Sequence, residues 1–263
     1  MSTASGKHDF AITYVGGPTA VLSIDGVSFI TDPTFDPPGG DYASGAVSLH
    51  KTRGPALAPG QLGPIDVALV SHDQHPDNLD TSGRSLLREV RHVLTTASGA
   101  ARLGHGAIGL RPWQTWSIET PRGSRLEVTA TPARHGPAGI EPISGEVTGF
   151  VIRAGDGGPD FAYVTGDTVW FDGTREVARR YRPRVVVLFG GAAQVRGPFH
   201  LTMSTNDAVE TATAFEDAVI VPVHHDGWAH FTQSQDDLAK TFQALGIAGR
   251  LRRVTGGELM RFD

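Results

Sequence analysis

The chain has 263 residues, 39% apolar and 19% charged, which supplies a sizeable core and excludes disorder for its bulk. Lys and Arg number 23 against 28 carboxylates, a net charge of −5 with no basic block, which argues against an electrostatic nucleic-acid binder. Eleven histidines stand beside those carboxylates and there is no cysteine, so a bound metal has to be held by His and carboxylate alone.

The first third reads as strands at residues 11–15, 20–24 and 27–31, the last two joined by the hairpin turn Asp25-Gly26. Residues 36–60, rich in Pro, Gly and Ala, read as a long surface loop. An apolar run at 65–70, broken only by Asp66, has the pattern of a buried strand. A helix is expected at 82–90 with Ser82 as its N-cap, then a strand at 93–95. The second half repeats the logic. Strands are expected at 125–131, 147–153 and 161–164, a helix at 175–181, and a buried strand at 185–189. A helix at 204–216 capped by Ser204, a strand at 219–223 and a helix at 235–245 follow. Hairpin strands followed by strand–helix units in each half suit two mixed sheets packed together with helices outside. Gly and Pro are spread as turn punctuation without repeats, so one domain over 1–263 is expected, with residues 1–9 as a flexible N-terminus.

Chemistry concentrates at strand ends. Directly after the strand at 65–70 comes Ser71-His72-Asp73-Gln74-His75-Pro76-Asp77-Asn78-Leu79-Asp80. Imidazole nitrogen and carboxylate oxygen are ordinary ligands of zinc, manganese or iron, although a solvated helix-capping loop could look similar. His135 follows the strand at 125–131, Gly166-Asp167 follows 161–164, and His224-His225 follows 219–223. Each has a bland reading alone, as a turn residue or surface histidine. Four strand ends carrying His or Asp is how α/β folds assemble sites.

In this order the motifs resemble the metallo-β-lactamase superfamily, a four-layer αβ/βα sandwich of metal-dependent hydrolases with HxHxDH after a strand, then His, Asp and His. Gly16-Gly17, Thr31-Asp32-Pro33, Leu201-Thr202-Met203 and Pro222-Val223-His224 are most similar to the branch of ascorbate-6-phosphate lactonase. The resemblance implies one metal held by His72 or Asp73 with His75 and His135. It implies a second at Asp77, Asp167 and His224, with Asn78 standing where the family has a His. Either His72 with one inserted residue or Asp73 in strict spacing fills the first position; in the former case Asp73 is a ligand or orients an imidazole. An amide is a poor zinc ligand, so the expectation is one tight divalent ion, Zn²⁺ or Mn²⁺, and a second that is weak or absent.

The implied activity is hydrolysis of a small ester, lactone, amide or phosphodiester, since a divalent ion with an open position lowers the pKa of its water toward about 7. By the same analogy Asp77 orients or deprotonates the attacking water. His230 and His225 are candidates for general acid or oxyanion donor, against a structural reading in which His225 points to the other face of its strand. Arg196 and His200, in the loop at 190–200, are candidates for binding an anionic substrate. His8, His50, His92 and His105 have no motif context, and Trp113 and Trp116 read as packing. The alternatives are a degenerate member that binds a metal or ligand without turnover, and a phosphodiesterase or nuclease. The first is motivated by Asn78; the acidic balance opposes long nucleic acids in the second. A small-molecule partner and a homo-oligomer are compatible with the chain. No apolar run reaches the ~18 residues of a membrane span and MSTASGKHDF lacks a signal-peptide core, so a cytoplasmic location is expected.

Overall fold

A computed structural model describes residues 8–155 and 157–262. Most of the N-terminal stretch expected to be flexible lies outside these residues. His8 and Asp9, at its end, are tied to the Asp25 carboxylate by His8 Nδ1 at 2.6 Å and the Asp9 amide at 3.0 Å.

Three antiparallel strands open the chain, β1 (Phe10–Gly16), β2 (Thr19–Ile24) and β3 (Val27–Thr31). The turn between the last two places both Asp25 (φ 49°) and Gly26 (φ 86°) in the left-handed region, as a tight two-residue hairpin requires. The expected surface loop at 36–60 is not structureless: it contains a separate hairpin, β4 (Asp41–Ser44) and β5 (Val47–His50), turning at Gly45 (φ 61°). Next come β6 (Val67–Leu69), α1 (Thr81–Leu86), β7 (His92–Thr96), α2 (Ala97–Leu103) and β8 (Ile108–Leu110). The α1 helix begins one residue earlier than expected and ends four sooner. Its N-cap is Asp80 rather than Ser82, because the Asp80 carboxylate accepts the Gly83 amide at 2.8 Å.

The second half contains β9 (Thr115–Glu119), β10 (Arg125–Pro132), the short α3 (Glu141–Ser144), β11 (Thr148–Ala154), β12 (Asp160–Val164) and α4 (Asp172–Arg180). It finishes with β13 (Val185–Phe189), α5 (Thr205–Ala214), β14 (Val219–Val223), α6 (Gln235–Ala244) and β15 (Leu259–Arg261). Ser204 caps α5 as expected, in a reciprocal pair with Asp207.

The strands form two mixed sheets, ordered β15-β1-β2-β3-β6-β7-β8 and β14-β13-β12-β11-β10-β9. Phe10, Ile12, Leu22 and Phe29 of the first sheet meet Leu126, Phe150, Ile152 and Val187 of the second in the main core. The other face of the second sheet is covered by α4, α5 and α6 through Val177, Ala212 and Phe242. The other face of the first carries Val15, Ile30 and Val70 under Leu79, Leu86 of α1 and Leu103 of α2. The result is the four-layer α/β/β/α sandwich with helices outside. Strand β13, Val-Val-Val-Leu-Phe, is buried throughout because it lies between parallel neighbours with both faces packed.

Candidate metal centre

Topology brings the chemical motifs to one edge. In the second sheet β10 and β12 each run antiparallel to β11, while β12, β13 and β14 are parallel. The C-terminal ends of β10, β12 and β14 therefore share one edge, and they deliver His135, Asp167 and His224. The segment after β6 of the first sheet brings His72, His75 and Asp77 to the same place.

His72, His75 and His135 form one group whose ring nitrogens converge; Asp77, Asp167 and His224 form a second, each within 4.8 Å internally. His72 Nε2 and His135 Nε2 lie 2.9 and 3.2 Å from His75 Nδ1. The far side of each of these two rings explains why. His135 Nδ1–H donates to the Leu201 carbonyl at 2.8 Å, so its Nε2 carries the lone pair inward. Ser71 Oγ donates to Asp32 at 2.6 Å and accepts from His72 Nδ1 at 2.9 Å, so His72 Nε2 is also unprotonated. Asp167 links the groups, with Oδ2 3.7 Å from His135 Nε2 and Oδ1 3.2 Å from His224 Nε2.

The donor set fits a divalent cation. Asp167 Oδ1 and both ring nitrogens of His224 are buried without a hydrogen-bond partner, the close approach of His224 Nε2 to Asp167 being out of line for one. Lone pairs left facing one another in a buried site are costly unless a cation lies among them. Burial, reinforced by the adjoining imidazoles, pushes His72 well below the ordinary imidazole value and His75 to about 4. Both are neutral at pH 7, the form that binds metal. Burial raises the carboxyls of Asp77 and Asp167, but it is outweighed by His230 and His224 around Asp77 and by His224 beside Asp167. Both carboxyls titrate below the usual range. Burial disfavours a charged His224, yet Asp167 and Asp77 raise it above the ordinary value.

Backbone strain sits here too. His224 itself adopts φ 56°, a conformation costly for a residue with a side chain, and its amide is held by the Gly17 carbonyl at 2.6 Å. Gly166, just before Asp167, has φ 61°, and a Cβ there would stand 2.5 Å from the Thr148 carbonyl oxygen. Only glycine admits that close approach.

The remaining candidates divide. Asp73 lies outside the two converging groups, its carboxylate forked by Arg102 with Nη2 at 2.6 Å and Nε at 3.0 Å. Asn78 Nδ2 donates to Asp32 at 3.1 Å, and its buried Oδ1 has no partner. His230 Nε2 donates to Asp77 Oδ2 at 2.9 Å and its ring lines the pocket over the centre. Arg196 lines that pocket as well and, among the described residues, has no carboxylate partner. His200 does not line it; the next residue, Leu201, does. His225 does not line that pocket. Its ring stacks on Tyr14 with centroids 6.0 Å apart.

Sequence reasoning passed over the roles of Asp32 and Ser71, and the pocket walls contributed by β5 and α3. Asp32 accepts the Ser71 amide and hydroxyl and the Asn78 amide; burial pushes its carboxyl up to about 7 against those bonds. Thr31-Asp32-Pro33 was visible as a motif, but its partners are 39 and 46 residues away. The β4–β5 hairpin did leave a signal, Val47-Ser48-Leu49 alternating after the Ser44-Gly45 turn.

Residues 28–225 match the family model described as the beta-lactamase superfamily domain. The chain belongs to that superfamily. It is 24% identical over 260 residues to the UPF0173 protein YddR of Bacillus subtilis, covering 95% of this chain and 99% of that one. Among solved structures it is similar to the isothiocyanate hydrolase from Delia radicum gut bacteria, with TM-score 0.81, 22% identity, and 96% and 99% of the two chains covered. A metallo hydrolase from the archaeon Ignicoccus hospitalis gives TM-score 0.71 at 20% identity, covering 97% and 99%. At these identities the likeness establishes the fold. Among the described residues no helix is long and apolar enough to cross a membrane.

Proposed function

We propose that this superfamily member is a metal-dependent hydrolase acting on a small ester, lactone, amide or phosphodiester. The observation that carries the reading is the pair of adjoining groups, His72/His75/His135 and Asp77/Asp167/His224, sharing one sheet edge beneath a pocket. A divalent ion held by these residues would supply Lewis acidity and lower the pKa of water available for attack. Asp77, ionised at neutral pH, orients or accepts the proton of the attacking water, and His230, hydrogen-bonded to it and facing the pocket, is placed to hand a proton to the leaving group. Arg196, which lines the pocket, offers its guanidinium to a polar or anionic end of the substrate.

Three imidazoles suit Zn²⁺, while the more oxygen-rich second group, with Asn78 in place of a His, suits Mn²⁺ or holds its ion weakly. One tight ion per chain is therefore expected. A cytoplasmic setting and membership of the branch similar to ascorbate-6-phosphate lactonase belong to the same proposal. A small buried site and a net charge of −5 favour a small-molecule substrate over a long nucleic acid. The test is metal content by elemental analysis with a panel of lactone, ester, amide and phosphodiester substrates, before and after chelation. Turnover that is lost on chelation and restored by Zn²⁺ or Mn²⁺ supports the reading. No turnover on any substrate, together with an unchanged Tm on chelation, overturns it.

A further inference from the structure

The pocket above the metal centre is bounded by His75, Asp77, His135 and His230 at its floor, and its walls come from three separate segments. Strand β5 contributes Val47 and Leu49, the short α3 and the residue before it contribute Ile143 and Ile140, and the loop after β13 contributes Val195 with Leu201. The pocket opens to solvent at its mouth. Beyond the floor the polar side chains are Ser44, Ser144 and one cation, Arg196, whose guanidinium lies over the hairpin turn at Gly45. A phosphate or polyhydroxylated group packed against such walls would lose its water with few partners to replace it.

Ile143 adds an independent observation. The residue is 59% exposed, at the pocket, whereas the other large exposed apolar residues among the described residues, Leu245 and Leu259, lie at the end of α6 and in β15. An isoleucine held in water at the edge of a partly apolar cavity gains burial only when something apolar enters.

We infer that the walls formed by Val47, Leu49, Ile140, Ile143, Val195 and Leu201 select substrates carrying a short uncharged alkyl or aryl group beside the scissile bond. The inference rests on the hydrolase reading for what the scissile bond is, and on the walls alone for what accompanies it. Arg196 stays at the rim for a polar end of the molecule.

Straight-chain hydroxamic acids of two to eight carbons, titrated calorimetrically into the metal-loaded full chain, read the pocket without requiring turnover. Affinity should rise roughly three- to fourfold per added methylene until the pocket fills. The acyl series of p-nitrophenyl esters should show a parallel rise in kcat/KM. Ile143→Asp, at an exposed position where folding is not at risk, should flatten both series, and Val47→Ser should shorten the chain length at which they level off. Affinity independent of chain length, binding of none of the series, or a preference for charged analogues of equal length would overturn the inference. If acetate-length esters are still cleaved in that case, the hydrolase reading stands; if the hydroxamates follow the expected rise while no ester, amide or phosphodiester is cleaved, the pocket stands and the hydrolase reading falls.

Discussion

His72 owes its inward-facing lone pair to a buried relay: Asp32 accepts from Ser71 Oγ, and Ser71 Oγ accepts from His72 Nδ1. Such outer partners fix the tautomer and ring orientation of a ligand, and removing them costs about 10–100-fold in metal affinity. Ser71→Ala should therefore weaken metal binding by that range in a competition titration with a chelator. Asp73→Asn, which breaks the Arg102 fork outside the ligand group, should leave metal affinity unchanged while lowering Tm. Equal losses from both substitutions would contradict the separation of roles. Spacing could not choose between His72 and Asp73, because the partner that engages Asp73 is an arginine 29 residues downstream on α2. What was legible was the density of His and Asp at four strand ends. The relay behind them was not, since hydrogen bonds between distant residues leave no local pattern.

The same residues set a pH dependence for the chelated protein. His75 titrates at about 4 when folded and near 6.5 when unfolded, and His72 is lowered in the same direction. Between those values the unfolded chain binds more protons, so stability is lost as pH falls from about 6.5 through 4. His224 has the opposite sign: its raised folded value contributes stability that is full below about 6.5 and fades as pH rises through the folded value, so it adds no slope on the acid side. Asp32, raised to about 7 when folded, opposes His72 and His75 in this window, since the folded carboxyl holds a proton that the unfolded one lacks. With two imidazoles against one carboxyl the Tm of chelator-treated protein should fall from about pH 6.5 to 4.5, and His75→Gln should lessen or reverse that fall. A slope unchanged by that substitution would assign the acid limb to other groups.

At the scale of elements, the regular long strands and capped helices were readable, and the short ones were not. Strand β13 announces itself as five consecutive apolar residues, and Ser204 with Asp207 is a reciprocal helix cap written in sequence. Strands β8 and β15 have three residues each and α3 has four, too few to show a period. The β4–β5 hairpin left only the short Val47-Ser48-Leu49 alternation, because its attachment is tertiary. Lys51, immediately after β5, is buried against Asp80 with Nζ to Oδ2 at 2.8 Å, and its ammonium lies 5.4 Å from the centre of the Trp228 ring. Asp80 also receives the amides of Phe35, Asp36 and Gly83, so one carboxylate ties the hairpin base to the start of α1. Removing one partner of a buried pair strands the other charge. Lys51→Met should cost about 3–5 kcal/mol in denaturant unfolding. A loss under about 1 kcal/mol, the range of exposed pairs, would show that Lys51 does not anchor the hairpin.

For the whole molecule, the consequence of the topology is that the candidate ligands are divided between the two sheets. His72, His75 and Asp77 follow β6 of the first sheet, whereas His135, Asp167 and His224 follow β10, β12 and β14 of the second. The His72/His75/His135 group and the Asp77/Asp167/His224 group each draw on both sheets, so an ion in either joins them at the open edge of the sandwich. The main core holds the sheets together through side chains such as Phe29 and Phe150, while at this edge the contacts are polar and include unpartnered atoms. A ligand that binds only the folded state stabilises it by about 4.1 kcal/mol at a free concentration 1,000 times its Kd. Metal should accordingly raise Tm, and amide exchange should slow most at the ends of β6, β10, β12 and β14, with little change in α4 and α6 on the outside. His135→Ala, which leaves the first group with ligands from one sheet alone, should abolish most of that rise even where some metal is still bound. A Tm rise in His135→Ala equal to that of the unaltered chain at matched occupancy would mean that the ion does not act as a bridge between the sheets.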